Sequence, residues 1–530
     1  MNALKLSGTN MLKNIPENVF ALVANKIEPY QKRLLVSALG ITPCGDMYEL
    51  CDGDIESAAL NGDYNVLLWM SKLPGKKVCY QKIVSAAIQG GHLFIVEKLY
   101  SSHGRISLEA VMLDAAKFCK IDIIEWVMTR DPFVYDGVTD IAALHGNLDV
   151  LKFFYNKGLP LEFSTCSKSA EGGNLECLIY AHTVGCNWNS ETCLMAAKGG
   201  HFKCMVYAHE HGCPWNSKVT CNAAKGGHLE CLVYAHENGC EMDSLTCAYA
   251  AEGGHIECLK YAHEHGCVLD SSICVHAAEG GHIECLVYAH EHGCEMGSST
   301  CDFAAKGGHL ECLVYAHEHG CKWSPWTCIY AAKGGNLKCL VYAHEHGCPL
   351  HKDTCEYAAC NGHLDCLVYA HKNGCYLYSN KCKTNSVYKS YLINHENGCT
   401  CETSTCTLAA KGGYLDCLVY GHENGCPWNS LTCALAAKGG HLECLVYAHE
   451  HGCAWDSYTC AFAAEKGHLK CLVYAHEHGC PWDSKTFERD RNFHMECVKY
   501  AYDNGCPLPI DSSEKELILE YIRVAFPENM

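Results

Sequence analysis

Asp243-Ser244-Leu245-Thr246-Cys247-Ala248-Tyr249-Ala250-Ala251-Glu252-Gly253-Gly254, followed at once by His255-Ile256-Glu257-Cys258-Leu259-Lys260-Tyr261-Ala262-His263-Glu264-His265-Gly266, is one period of a pattern that fills most of this chain. The first half opens on an Asp-Ser pair whose side-chain oxygens suit a helix N-cap. It runs through small and apolar residues to Gly253-Gly254, which end a helix by allowing positive φ. In the second half Ile256, Leu259, Tyr261 and Ala262 fall at helical spacing on one apolar face, and Gly266 closes it. Each helix is only about two to three turns long and marginal by itself, so copies must bury one another's faces.

Those copies are present. The residue after the glycine pair recurs as Asn147, Asn174, His201, His228, His255, His282, His309, Asn336 and His363, each 27 residues beyond the last. Weaker copies precede them at Lys120, His92 and Asp63, and a degenerate copy near residue 387 is followed by Tyr414, His441, His468 and His494. A length of 530 residues would otherwise suggest several domains, but about 17 units make it one array. The expected fold is therefore all-α, a helical solenoid of short helix-turn-helix repeats spanning residues 51–510. The unit near 376–399 loses the glycine pair and concentrates Lys and Tyr, among them Tyr378, Lys381 and Lys383, and is expected to kink the stack or hold a partner. At residues 511–530, Ser513-Glu514-Lys515-Glu516 has capping-box spacing ahead of an apolar stripe of Leu517, Ile518, Tyr521, Ile522 and Ala525, as a terminal capping helix would.

Ala250-Ala251-Glu252-Gly253-Gly254-His255-Ile256-Glu257 resembles the Ala-Ala-x-x-Gly-His-Leu-Glu core of ankyrin repeats, and Gly266-Cys267-Val268-Leu269-Asp270 falls where those repeats carry Gly-Ala-Asp-Val-Asn. Ankyrin units are longer, and the residues absent here lie between Asp270 and Cys274, where the family places its β-hairpin finger. The array looks like the short, cysteine-containing ankyrin-like repeat of large DNA viruses and unicellular eukaryotes. That resemblance implies stacked helix pairs lacking most of the finger, and protein–protein binding.

Cysteine and histidine carry the chemistry to be weighed. Nearly all of the 43 cysteines fall in three columns: before the Ala-Ala pair (Cys166, Cys193, Cys247), three residues past the anchor (Cys177, Cys204, Cys258), and after the helix-ending glycine (Cys186, Cys213, Cys267). Ankyrin repeats bury Leu, Ile and Ala there, and Cys packs as a small hydrophobe, so core filler is the expected role. Equivalent cysteines one repeat apart should sit about 8–10 Å from each other, beyond the roughly 7 Å between Cα atoms that a disulfide allows. The spacing is helical and lacks paired Cys-x-x-Cys and His-x-x-x-His ligands, so no metal site or cofactor is expected. A metal-binding or redox-buffering repeat protein stands as the alternative function. The histidines at 209, 236, 263, 290, 317, 344, 371, 422, 449 and 476 read as a stacked, hydrogen-bonded ladder, and the tryptophans at 188, 215, 323, 428, 455 and 482 as core.

The net charge of −19 disfavours a general nucleic-acid binder or an anionic membrane surface, and no apolar run is long enough to span a bilayer. Any Cys–His pair recurs many times over, whereas an active site is a single constellation, so no enzyme is expected. The expectation is a monomeric cytoplasmic protein, in the host cytoplasm if viral. Recognition must come from positions that differ between units. The residue two before the first cysteine column varies freely and includes Lys218, Leu245, Trp326, Asp353, Tyr458 and Lys485; a second variable column holds Leu194, Ala248, Val275, Asp302, Ile329 and Thr407.

Residues 1–50 lack the repeat. Ile15-Pro16-Glu17-Asn18-Val19-Phe20-Ala21-Leu22 and the later Leu34-Leu35 resemble an F-box, with Ile15 in place of the usual Leu. That resemblance implies docking to a Skp1-type adaptor of a cullin ubiquitin ligase through Ile15, Pro16, Val19, Leu22, Leu34 and Leu35. The other reading of this segment is an N-terminal cap on the first repeat.

Overall fold

A computed structural model describes residues 52–510 apart from 65–66, 68–78, 103–105, 133–136, 378–403 and 488–493, together with 515–516 and 518–520. Every regular element among the described residues is helical, and none is a strand. Contacts divide the chain into two units, Met1–Glu241 and Met242–Met530.

In the second unit the period quoted above folds as Ser244–Gly253 and Ile256–Glu264. Asp243 caps the first helix, accepting from Thr246 N at 3.3 Å while its own N–H donates to the Thr246 hydroxyl at 3.4 Å. Gly254 takes φ +75° and its N–H closes the helix onto the Ala250 and Ala251 carbonyls. Cys258, Leu259 and Ala262 form the buried stripe of the second helix, while Ile256 and Tyr261 are only half-buried. Two residues, Gly and His, separate the following pairs as well, Ser271–Gly280 with Ile283–Glu291 and Ser298–Gly307 with Leu310–Glu318. First helices pack closely on neighbouring first helices, while second helices stand further apart. The cause is side-chain size: fully buried Ala-Ala pairs line the first layer, and tyrosine and histidine fill the second.

The anchor position ties each repeat to the one before it. In the first unit His201 Nε2 lies 3.0 Å from Glu171 O and His228 Nε2 3.2 Å from Lys198 O, so each ring donates to a C-terminal carbonyl of the preceding first helix. Asn147 and Asn174 occupy the same position and do the same, Asn174 Nδ2 reaching both Ala143 O and Leu144 O at 2.9 Å. Room for the ring comes from the glycines. A Cβ on Gly254 would collide with the His282 imidazole of the next repeat, and a Cβ on Gly280 would meet His282 and Glu252 O. Where the pair is missing, Cys119 adopts φ +55°, the one non-glycine in that region among the described residues.

The first unit also shows what the cysteines replace. Ile95, Ile123, Val150 and Cys177 hold one position in successive repeats, and each is at most 1% exposed. The middle column is therefore core, with burial pushing the Cys258 thiol up to about 11.

The repeat pair Thr354–Cys360 and Leu364–Lys372 stacks directly on Thr405–Gly412 and Leu415–Glu423. Thr405 N donates to Leu377 O at 3.2 Å, and His371 Nδ1 meets Tyr420 OH at 2.9 Å, the contact that adjacent repeats make elsewhere. The degenerate copy near 387, with its Tyr378, Lys381 and Lys383, lies outside the described residues. The tryptophans expected in the core are all half-buried, because each lies flat on a histidine; Trp482 also packs against the C-terminal apolar cluster. At the C-terminal end Ile518, 2% exposed, packs with Phe487, Val498, Ala501 and Cys506. Of the expected 511–530 helix, residues 515–516 and 518–520 are helical; the rest of it, like residues 1–50 with Ile15, Pro16, Val19, Leu22, Leu34 and Leu35, lies outside the described residues.

Replacing Gly254 with Val should cost about 2 kcal/mol or more, since a left-handed φ and a collision with His282 act together; an unchanged denaturation midpoint would contradict the anchor contact. Cys258→Ala should cost about 1 kcal/mol and Cys258→Asp several, because the second buries a charge. Equal midpoints for the two variants would place Cys258 at the surface.

Candidate partner-binding face

On the first-helix side of the second unit, three consecutive repeats bring aromatic and charged side chains into a stripe. Trp326, 45% exposed, starts the helix Trp326–Lys333 and leans on Tyr330 with centroids 6.1 Å apart. Tyr330 stacks on Phe303 of the preceding repeat, again at 6.1 Å. Lys306 Nζ stands 5.2 Å above the Phe303 ring and 3.0 Å from Glu279 one repeat further back. Leu245, 51% exposed, is on the same helix layer.

The six expected contact residues do not form one cluster. Lys218 is exposed in the first unit, where Asn216 Oδ1 accepts from its backbone N–H at 3.0 Å. Asp353 is half-buried at a helix start, 3.4 Å from His351 Nδ1 and 3.8 Å from Lys352 Nζ. Tyr458 and Lys485 meet across adjacent repeats, with Nζ 4.8 Å from the ring centroid. The second variable column is mixed, with Leu194 and Val275 half-buried. Ala248, Asp302, Ile329 and Thr407 are buried between stacked first helices. Burial raises the Asp302 carboxyl, and hydroxyl bonds from Ser324 and Thr327, each 2.6 Å at the closest, act against that rise. The outward positions are one residue later, at Phe303, Tyr330 and Tyr357, because one residue on a helix is a rotation of about 100°. The aromatic bias of that column was the available signal.

The second-helix side carries a ladder. His317 stacks on Trp323 at 4.3 Å, its Nδ1 is 3.1 Å from Tyr342 OH of the next repeat, and Trp323 Nε1 donates to His346 O at 2.9 Å. The same arrangement recurs at His182 with Trp188 and Tyr207, and at His449 with Trp455 and Tyr474. Between second helices Ile256–Glu264 and Ile283–Glu291 an open groove of about 440 Å³ is lined by Ile256, Lys260, Ile283, Val287 and Tyr288 and rimmed by Glu257, Glu284 and Glu291. Among the described residues, no three His, Cys, Asp or Glu side chains converge as a metal site requires, and no helix is long and apolar enough to cross a membrane.

No family model matches the chain. No curated protein matches it either. Among solved structures, the crystal structure of the human ASB11 ankyrin repeat domain aligns at 15% identity with a TM-score of 0.28, over 42% of this chain and 96% of that one.

The ladder makes stability depend on pH. His182, His422 and His449 are held below the usual imidazole value, chiefly by burial and next by the histidines His211, His451 and His478 facing them. A base lowered on folding contributes stability that is fully present above its unfolded value near 6.5 and is lost as pH falls through the folded one. The melting temperature should therefore drop between about pH 7.5 and about pH 5, and His449→Gln should flatten that slope. A melting temperature that rises on acidification would contradict the arrangement.

Proposed function

We propose that the chain is a non-catalytic protein–protein interaction scaffold whose partner lies along the first-helix stripe of residues 245–333. The observation that carries this reading is the run of exposed Trp326, half-buried Tyr330 and Phe303, and exposed Lys306 across consecutive repeats, since aromatics reaching the surface beside a cation are the groups that dominate protein interfaces. The ankyrin-like motifs support it, because that family binds proteins. Asp353, Tyr458 and Lys485 extend the contact set within the second unit, with Lys218 of the first unit and Tyr378, Lys381 and Lys383 as further contacts.

The finer reading is a substrate-recruiting adaptor. Residues 1–50 would dock a Skp1-type subunit through Ile15, Pro16, Val19, Leu22, Leu34 and Leu35 while the array holds the target, as a monomer in the cytoplasm. Support for it is the F-box-like sequence alone.

Affinity purification from lysate with the full chain, a chain lacking residues 1–50 and the double variant Phe303→Ala/Trp326→Ala separates the two claims. The double variant should lose target proteins, with about 2 kcal/mol or roughly thirty-fold weaker binding per hot-spot residue, while its melting temperature is unchanged. Loss of a Skp1–cullin set only on removing residues 1–50 supports the adaptor role, and retention of every prey by the double variant removes the stripe from the interface.

A further inference from the structure

The groove between the second helices Ile256–Glu264 and Ile283–Glu291 lies on the other helix layer from the aromatic stripe. Its floor is Ile256, Ile283, Val287 and the ring of Tyr288, all half-buried, so apolar surface faces outward in an open trough of about 440 Å³. The Tyr288 ring is held from two sides. Its hydroxyl meets His263 Nδ1 at 3.0 Å, and His292 lies against it with centroids 4.1 Å apart. Lys260 makes one wall: its stem lines the trough while Nζ sits 3.0 Å from Glu257 Oε1. The same place is Val in the repeats on either side, Val233 and Val287.

The charge of the trough is one-sided. Lys260 neutralises Glu257, whereas Glu284 and Glu291 are exposed and paired with no cation among the described residues. Seven residues apart, they stand about two helical turns from each other and bracket Val287 and Tyr288 along one face. The next second helix, Leu310–Glu318, repeats the arrangement, with Glu311 and Glu318 exposed on either side of half-buried Val314. Lys338 breaks this pattern in the following repeat and Lys372 in the one after. The acidic stretch is therefore confined to the second helices between residues 256 and 318. An apolar strip bordered by uncompensated carboxylates, in a chain of net charge −19, is complementary to a segment that is apolar and cationic at once.

We propose that this trough binds a basic, apolar segment of a partner protein in extended conformation. Aliphatic side chains of the segment rest on Ile256, Ile283 and Val287, and its lysine or arginine side chains reach Glu284 and Glu291. Packed helices stand roughly 8–10 Å apart, a step that about three residues of extended chain cover. The segment therefore carries a cation at about every third residue. Acidic segments and nucleic acid are turned away by the same carboxylates.

The test is fluorescence anisotropy of a labelled Lys-Leu-Pro repeat peptide, whose prolines favour an extended chain with a cation at every third residue. It is titrated with the full chain at low salt, beside a Glu-Leu-Pro peptide of equal length. The cationic peptide should bind and the acidic one should not. Glu284→Gln/Glu291→Gln should bind the cationic peptide about tenfold more weakly at an unchanged melting temperature. Val287→Asn should weaken binding as well, because the floor contributes beside the charges. Phe303→Ala/Trp326→Ala should bind the peptide as the wild type does, which separates this site from the first-helix stripe. Carbodiimide cross-linking and peptide mapping should join the peptide's lysines to Glu284 and Glu291. No binding by the wild-type chain, equal binding by Glu284→Gln/Glu291→Gln, or cross-links spread evenly over the exposed carboxylates of both helix layers would each overturn the proposal.

Discussion

The stack depends on one short contact, a side-chain N–H placed over a glycine pair and aimed at the open end of the previous helix. The last carbonyls of a helix have no partner within it, and a two-turn helix has too few internal bonds to tolerate that loss in a buried setting. His201 and Asn174 solve it with different chemistry and the same geometry, an imidazole Nε2 in one and an amide Nδ2 in the other. This explains why His and Asn serve interchangeably as the anchor in most repeats, while Asp63, Lys120 and Tyr414 hold the place in others. It also explains why both preceding residues are glycine: one needs the left-handed φ, and both lie under the ring. Removing that contact would leave helices too short to persist, whatever their apolar faces.

Much of this was legible in the sequence because repetition averages out local ambiguity. Period, helix pairing, the N-cap at Asp243 and the turn at Gly254 follow from spacing and from the φ demands of glycine. The inter-repeat contacts were not legible, since a histidine's partner lies 25 or 30 residues away and spacing within one unit does not reveal it. The tryptophans illustrate the point. Large apolar residues sharing a slot with Met242 and Leu269 read as core, yet the slot is a half-buried ledge where an indole lies flat against an imidazole.

The candidate face was legible to within one residue. Sequence variation correctly singled out Trp326 and Leu245 as exposed, because they sit at the helix entrance where packing imposes little. It also singled out Ala248 and Ile329, whose variation has another origin: they fill the gap between first helices, and neighbours of different size can be matched there. Drift on a surface and compensated packing in a core leave the same mark in one sequence. Only the rotation of the helix tells them apart. The cysteines were half legible in the same way, with the middle column recognisable as aliphatic filler and the third column's bonds to carbonyls 24 residues earlier not.

The junction at Leu377 and Thr405 has a consequence for how such a chain changes length. Neighbouring described repeats present closely similar upper and lower surfaces, so the end of one can serve as a template for the start of another. Where Tyr414 covers Gly362, two repeats separated by an extra stretch of sequence close on each other as though they were consecutive. An interface that does not register which neighbour it holds lets whole 27-residue blocks be gained or lost by unequal recombination without a new fold being needed. The uniformity that makes the array stable thus leaves its length unfixed, and an array of this kind is free to be lengthened or shortened in whole-repeat steps while every remaining joint stays the same.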